Sequence, residues 1–240
     1  MATFSATVRG YVALGLAAGA LGLVACSFVT GGASPAPAAD LVKLTEPLAD
    51  LVERLKPALV RIREGPGPGN GARPAAAGFL VDVDGVIVTV AHVLPAGDSV
   101  EVELADGRRF PGRVVRRDAQ ADLAAVRIEA ATQLTALRLG DSDRVRAGTL
   151  VLALGHPYRL AEAVSLGIVS WKGPPADGGP DDPELIYTDA LAHPGSSGGP
   201  LVTLAGEVIG IQTFAARNGS MGIAVPSNLV ARVIPESSPE

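Results

Sequence analysis

The chain has 240 residues, 48% of them apolar and 19% charged, enough to bury one large core or two small ones. Its net charge is −5, and because Arg9 is the only charged residue before position 27 the remainder carries −6, with no basic stripe to suggest a nucleic-acid partner. Cysteine occurs once, at position 26, so no disulfide can staple the fold, and packing has to hold it together.

Residues 11–30, "YVALGLAAGALGLVACSFVT", follow a polar start and have the length of a signal-peptide core or, at a stretch, of a membrane-spanning helix. The run passes through "LVAC", and a small residue before a Cys in this position resembles the lipobox of bacterial lipoproteins, in which Cys26 would be lipidated. Two alternatives stay open: an uncleaved anchor, or cleavage at the "APA" of residues 36–38. In each case the expectation is export; with Cys26 lipidated or the anchor uncleaved, the N-terminus would also attach the chain to the membrane, facing the periplasm or the cell exterior. Residues 1–26 are thus read as targeting sequence and 27–45 as a Pro/Ala/Gly tether.

A short amphipathic helix, "EPLADLVERLKP", comes next. From Ala58 the pattern changes to short β-type runs between turn signals: "ALVRIRE", "AAAGFLVDV", "GVIVTV", "SVEVEL", "RFPGRVVRR" and "LAAVRIE". A polar stretch around "GDSDRVRAG" separates these from a second group: "TLVLALG", "AVSLGIVSW", "LIYTDA", "PLVTL", "EVIGIQTF" and "MGIAVP". Two sets of about six strands predict an all-β protein of two antiparallel barrels, over residues 46–139 and 140–240, closed by a helix at "SNLVARVI".

Near the end lies "HPGSSGGP", residues 193–200, which by itself reads as a turn and becomes chemical only if partners exist elsewhere. The histidines are His92, His156 and His193. His156 stands before a proline and reads as a turn residue, and His193 is too close along the chain to reach back to a serine at 196 or 197. His92, in "IVTVAHVL", is delivered by an apolar strand, where it is either a satisfied core residue or a base. Two aspartates sit in apolar settings that require a partner, Asp122 in "DAQADLAAVRI" and Asp189 in "LIYTDALAH". "GSSGG" also fits the G-x-S-x-G elbow of α/β-hydrolases, but that design wants acid and histidine after the serine, and residues 198–240 hold neither His nor Asp. The order His, Asp, Ser is supplied by His92, Asp122 and Ser197.

With these residues in place, the chain resembles a trypsin-like serine protease of the bacterial HtrA/Deg type, from about Leu48 to Ile234. "GFLVDVDGVIVTVAHVL" resembles the strands leading to that family's catalytic His, and "RDAQADLAAVRI" the segment with its Asp. "LALGHPYRLAEAVSLGIVS" resembles the opening of its second barrel, "TDALAHPGSSGGPLVTLAGEVIGIQTF" the nucleophile segment, and "MGIAVPSNLV" the closing strand and helix. The resemblance implies a serine endopeptidase acting on exported, unfolded or extended polypeptides, with no cofactor or metal, and leaves a homo-oligomer open. The rival reading is an inactive, protease-like binding or scaffolding lipoprotein.

On the same basis Ser197 is the nucleophile, His92 the general base, Asp122 its orienting acid, and the N–H groups of Gly195 and Ser197 the oxyanion hole. The resemblance puts a pocket floor at Leu191, with walls at Thr213, Phe214 and, from the stretch 221–224, Ala224. No carboxylate falls at the floor, so an apolar pocket preferring Val, Ala, Ile or Leu is expected. Two departures stand out. The residue before the nucleophile, commonly Asn in the family, is Ser196 here, and the family's frequent PDZ domain does not follow the last helix in this sequence.

Overall fold

A computed structural model describes residues 43, 45–64, 76–156, 163–175, 183–190, 193–215 and 221–234. Cys26, with the targeting segment and tether, lies outside the described residues, as does Leu191. Residues Leu41–Glu240 form one unit.

The unit begins with α1 (Thr45–Leu55), whose Glu46 and Arg54 sit in the first and last turns, where the helix dipole favours them. Leu51 and Leu55, one turn apart, are buried, and they lie against Gly206, where an added Cβ would meet their methyl groups at 3.3 and 3.9 Å. Pro57 ends the helix in a 3-10 turn, Lys56–Ala58, and the chain enters the sheet.

Six strands close the first barrel: β1 (Leu59–Glu64), β2 (Ala76–Leu80), β3 (Val86–Val90), β4 (Ser99–Leu104), β5 (Arg109–Asp118) and β6 (Leu123–Ile128), in the order β1-β2-β3-β6-β5-β4. The "DVDG" turn between β2 and β3 is built as its residues suggest. Asp82 accepts the N–H groups of Asp84 and Val86 at 2.9 and 2.8 Å, and Gly85 takes φ +99°. β4 alternates exposed and buried positions, as a strand with one solvated face should. β3 is buried at all five positions, because one face fills the first barrel and the other meets the second.

The second barrel uses β8 (Leu150–Gly155), β9 (Ala163–Gly173), β10 (Leu185–Thr188), β11 (Pro200–Thr203), β12 (Glu207–Ala215) and β13 (Gly222–Pro226). They run in the order β11-β8-β9-β10-β13-β12, and pairing of β11 with β12 closes the ring. A two-residue strand that the pattern did not predict, β7 (Arg138–Leu139), adds to β12 in parallel. Two residues carry too little alternation to be seen in a sequence.

The expected closing helix is present as a 3-10 helix, Ser227–Arg232, starting directly after Pro226. Its Ser227 and Asn228 are tied to the segment between the barrels: Ser227 Oγ donates to Gly140 O at 2.8 Å, and Asn228 Nδ2 donates to Asp141 at 3.0 Å. The buried core is continuous across the barrels, joining Val60, Phe79 and Val126 to Leu154, Ile211 and Val225.

Candidate active site

β3 ends at Val90 and leads into a single 3-10 turn, Ala91–Val93, which carries His92 at the barrel's rim. Asp122 lies just before β6, which pairs with β3 so that Val90 faces Leu123. The ladder therefore brings the two residues side by side. His92 Nδ1 is 2.8 Å from Asp122 Oδ2, and the His92 backbone N–H donates to Oδ1 at 3.0 Å. The Asp122 carbonyl in turn accepts the Ala91 N–H at 3.1 Å. To make these contacts Asp122 takes φ +53°, the one left-handed backbone among the described non-glycine residues, a conformation that Asp tolerates better than most side chains. With Nδ1 donating to the carboxylate, Nε2 is the nitrogen left to accept a proton.

A third donor comes from the other barrel. Thr213, on β12, sends its hydroxyl to Asp122 Oδ2 at 2.5 Å, while its carbonyl accepts the Ser197 hydroxyl at 3.1 Å. One residue thus links the carboxylate to the serine across the cleft. The next residue, Phe214, stacks on the His92 ring with centroids 4.8 Å apart and planes within 15°.

The loop carrying Ser197 is built on its glycines. Ser196 N–H donates to His193 O at 2.9 Å with Pro194 and Gly195 between them, and Gly195 has φ +100°, the arrangement of a type II turn. Gly198 has φ +90°, and its N–H donates to Gln212 O at 2.7 Å. The N–H groups of Gly195 and Ser197 have no backbone or side-chain acceptor among the described residues. They are two donors at one loop, beside a hydroxyl, available to an oxygen from outside the chain. Ser196 is buried, packed against Gly155.

The remaining candidates fall elsewhere. His156 is buried at the end of β8, and the backbone carbonyl of His193 closes the Ser197 loop. Asp189 is not paired with a histidine; its Oδ1 accepts the Ile168 N–H at 2.7 Å and braces β9. Of the pocket residues expected from the sequence, Thr213 gives its hydroxyl to Asp122. Phe214 covers His92. Ala224 is fully buried with Ile186, Ala190 and Ile209, and the pleat gives the opposite face of β13 to Ile223, which is partly exposed.

The profile of the trypsin-like peptidase domain matches residues 76–211. The chain belongs to the trypsin-like peptidase family. Within it, the likeness of this peptidase domain is to HtrA-type members. It is 39% identical over 199 residues to the serine protease HTRA1B of Danio rerio, covering 79% of this chain and 41% of that protein. It is 40% identical over 158 residues to the periplasmic serine endoprotease DegP of Escherichia coli, covering 64% of this chain and 33% of that one. Among solved structures, the HtrA-type protease AlgW with a tripeptide superposes with a TM-score of 0.69 at 32% identity, covering 77% of this chain and 61% of the other. The chain spans between one third and about two fifths of the length of these two curated relatives.

Proposed function

We propose that this peptidase domain is an active serine endopeptidase. The observation that carries the reading is the line of hydrogen bonds from His92 through Asp122 and Thr213 to Ser197, with two unspent N–H donors beside the hydroxyl. In the resting arrangement Ser197 Oγ leans on the Thr213 carbonyl. Rotation about its Cα–Cβ bond turns it toward His92 Nε2, which takes the proton as Oγ bonds to the substrate carbonyl carbon. The Gly195 and Ser197 N–H groups hold the resulting oxyanion, and Asp122 holds the imidazole in place. The C–N bond then breaks as Nε2 returns the proton to the leaving amine, and water attacks the acyl-enzyme by the same route.

The substrates are extended polypeptides cleaved after small or medium aliphatic residues. The Asp189 carboxylate is engaged with β9 rather than offered to a basic side chain, and an unpaired Lys or Arg in an apolar pocket would cost several kcal/mol. Leu191 remains the proposed pocket floor. The N-terminal segment carries export, and Cys26 the membrane attachment. The chain also associates with further copies of itself, a reading supported by the apolar outer face of β8 and β9, where Leu150, Val164, Leu166 and Ile168 are exposed.

A fluorophosphonate probe should label the chain at Ser197, and casein fragments should end mainly in Val, Ala, Ile or Leu. Ser197→Ala and His92→Ala should each lower turnover on the order of 10⁴- to 10⁶-fold, with Ser196→Ala close to the parent protein. Retained cleavage by folded Ser197→Ala would overturn the assignment. No labelling and no cleavage by the parent protein would favour a binding module instead, one in which the Ser197–Thr213 bond is permanent.

A further inference from the structure

Among the described residues, a backbone hydrogen bond ties the loop that carries Ser197 to the first barrel. The β2–β3 ladder runs through Leu80–Ile87 and Phe79–Val88 and goes no further, which leaves the β3-facing groups of Ala77 without ladder partners. The Ala77 N–H donates instead to the Ser197 carbonyl at 2.9 Å, and the Ala77 carbonyl accepts the hydroxyl of Thr89, on β3, at 2.7 Å. Thr89 is fully buried. The fit leaves no slack: a Cβ built on Gly198 would stand 2.1 Å from Ala77 O and 2.2 Å from Thr89 Oγ1.

We propose that Thr89 is a positioning residue for Ser197, a role that rests on the peptidase reading above. Its hydroxyl holds the Ala77–Gly78 peptide and so restrains Ala77 from one side of its Cα, while the Ala77 N–H, on the other side, sets the height of the Ser197 backbone. Thr89 also lies three residues before His92 on the same run of chain. One strand therefore locates both the base and the nucleophile, although the two come from different barrels. The Thr89 hydroxyl touches neither substrate nor reacting atoms, so its effect is on where Ser197 sits. A displacement of an ångström between reacting groups is enough to cost about 100-fold in rate.

The experiment compares Thr89→Val with Thr89→Ser in the chain as it stands, with active sites titrated by fluorophosphonate and kcat and KM measured on a peptide cleaved by the parent protein. Thr89→Val should lower kcat per titrated site by about 10- to 100-fold with KM changed less than about threefold, and Thr89→Ser should restore most of it. Thermal unfolding is followed alongside, since a merely structural role would lower the melting temperature and the number of titrated sites but leave kcat per site alone. That result, or a Thr89→Ser no better than Thr89→Val, would overturn the proposal. Should Thr89→Val not fold, Thr89→Cys, which keeps only a weak donor, takes its place with the same expectation and the same overturning result. A parent protein that neither labels nor cleaves would sink the peptidase reading itself, whereas full kcat in Thr89→Val beside an inactive Ser197→Ala sinks only the positioning role.

Discussion

Gly198 shows how much of the site rests on single atoms. Its φ of +90° is costly for any residue with a side chain, and its missing Cβ is what lets the Ser197–Gly198 backbone lie against Ala77 and Thr89. Gly198→Ala is therefore expected to lose both stability and activity, because the added methyl would meet two oxygens that hydrogen bonds hold in place. Unfolding should cost at least about 1–3 kcal/mol less than in the parent chain, the scale of a residue held in a disfavoured backbone region. Circular dichroism on heating, paired with fluorophosphonate labelling, checks both halves. Unchanged labelling would mean that the two barrels part easily here. Asp122 is the opposite case: a non-glycine residue in the left-handed region, where three donors from two barrels converge on its carboxylate. Its backbone conformation and its contacts point to the same site.

Among the elements, the closing 3-10 helix does more than cap the chain. Ser227 Oγ holds the Gly140 carbonyl, and Asn228 bridges to Asp141 and Ser142, so the last helix fastens the segment where the chain passes from one barrel to the other. Ser227→Ala leaves that carbonyl without its partner and should cost about 1–3 kcal/mol. For a unit of this size that is a fall of several degrees in Tm, measurable by calorimetry, with the active-site titre unchanged below the transition. The side-chain bond from Asn228, and then the Asp143 N–H, hold the Asp141 carboxyl below its usual range. A depressed carboxyl contributes its stability above its ordinary pKa and loses it as pH falls through the depressed value. The Asn228–Asp141 bond should therefore weaken only as pH falls below the ordinary carboxylate range, while the Ser227–Gly140 bond does not titrate.

For the molecule as a whole, the outer face of the second barrel is the feature that its interior does not explain. Leu150, Val164, Leu166 and Ile168 are all more than a third exposed, and Leu150 pairs directly with Ile168 across the β8–β9 ladder. Four large aliphatic residues side by side on one face make a patch rather than scattered exposure. Since such a face is apolar throughout, another copy of the same chain matches it better than a charged partner does. Leu166→Glu, at a site 51% exposed, should leave the fold and the labelling of Ser197 intact while lowering the mass seen by light scattering. An unchanged mass would mean that this face does not join copies of the chain.

Much of this was legible in the residues because it depends on local rules. Alternation and turn chemistry placed twelve of the thirteen strands described here, and only β7, two residues long, lacked a pattern to read. The order His92, Asp122, Ser197 also stood in the sequence, since excluding the other histidines needs only chain distance and neighbours. What tertiary structure alone decided are the contacts between segments far apart in the chain. Thr213 is one residue of a strand in the sequence, and only the fold turns its hydroxyl to Asp122 and its carbonyl to Ser197. Ala224 and Ile223 take opposite faces of β13, and the register of β13 against β10 and β12 sets which face is the core. Thr89 reads as one more strand residue, and it comes to support the contact with the Ser197 loop only because the β2–β3 ladder stops at Phe79–Val88 and frees Ala77 to reach the other barrel. Where a ladder ends is set by two sheets packing against each other, and no stretch of either strand encodes it alone.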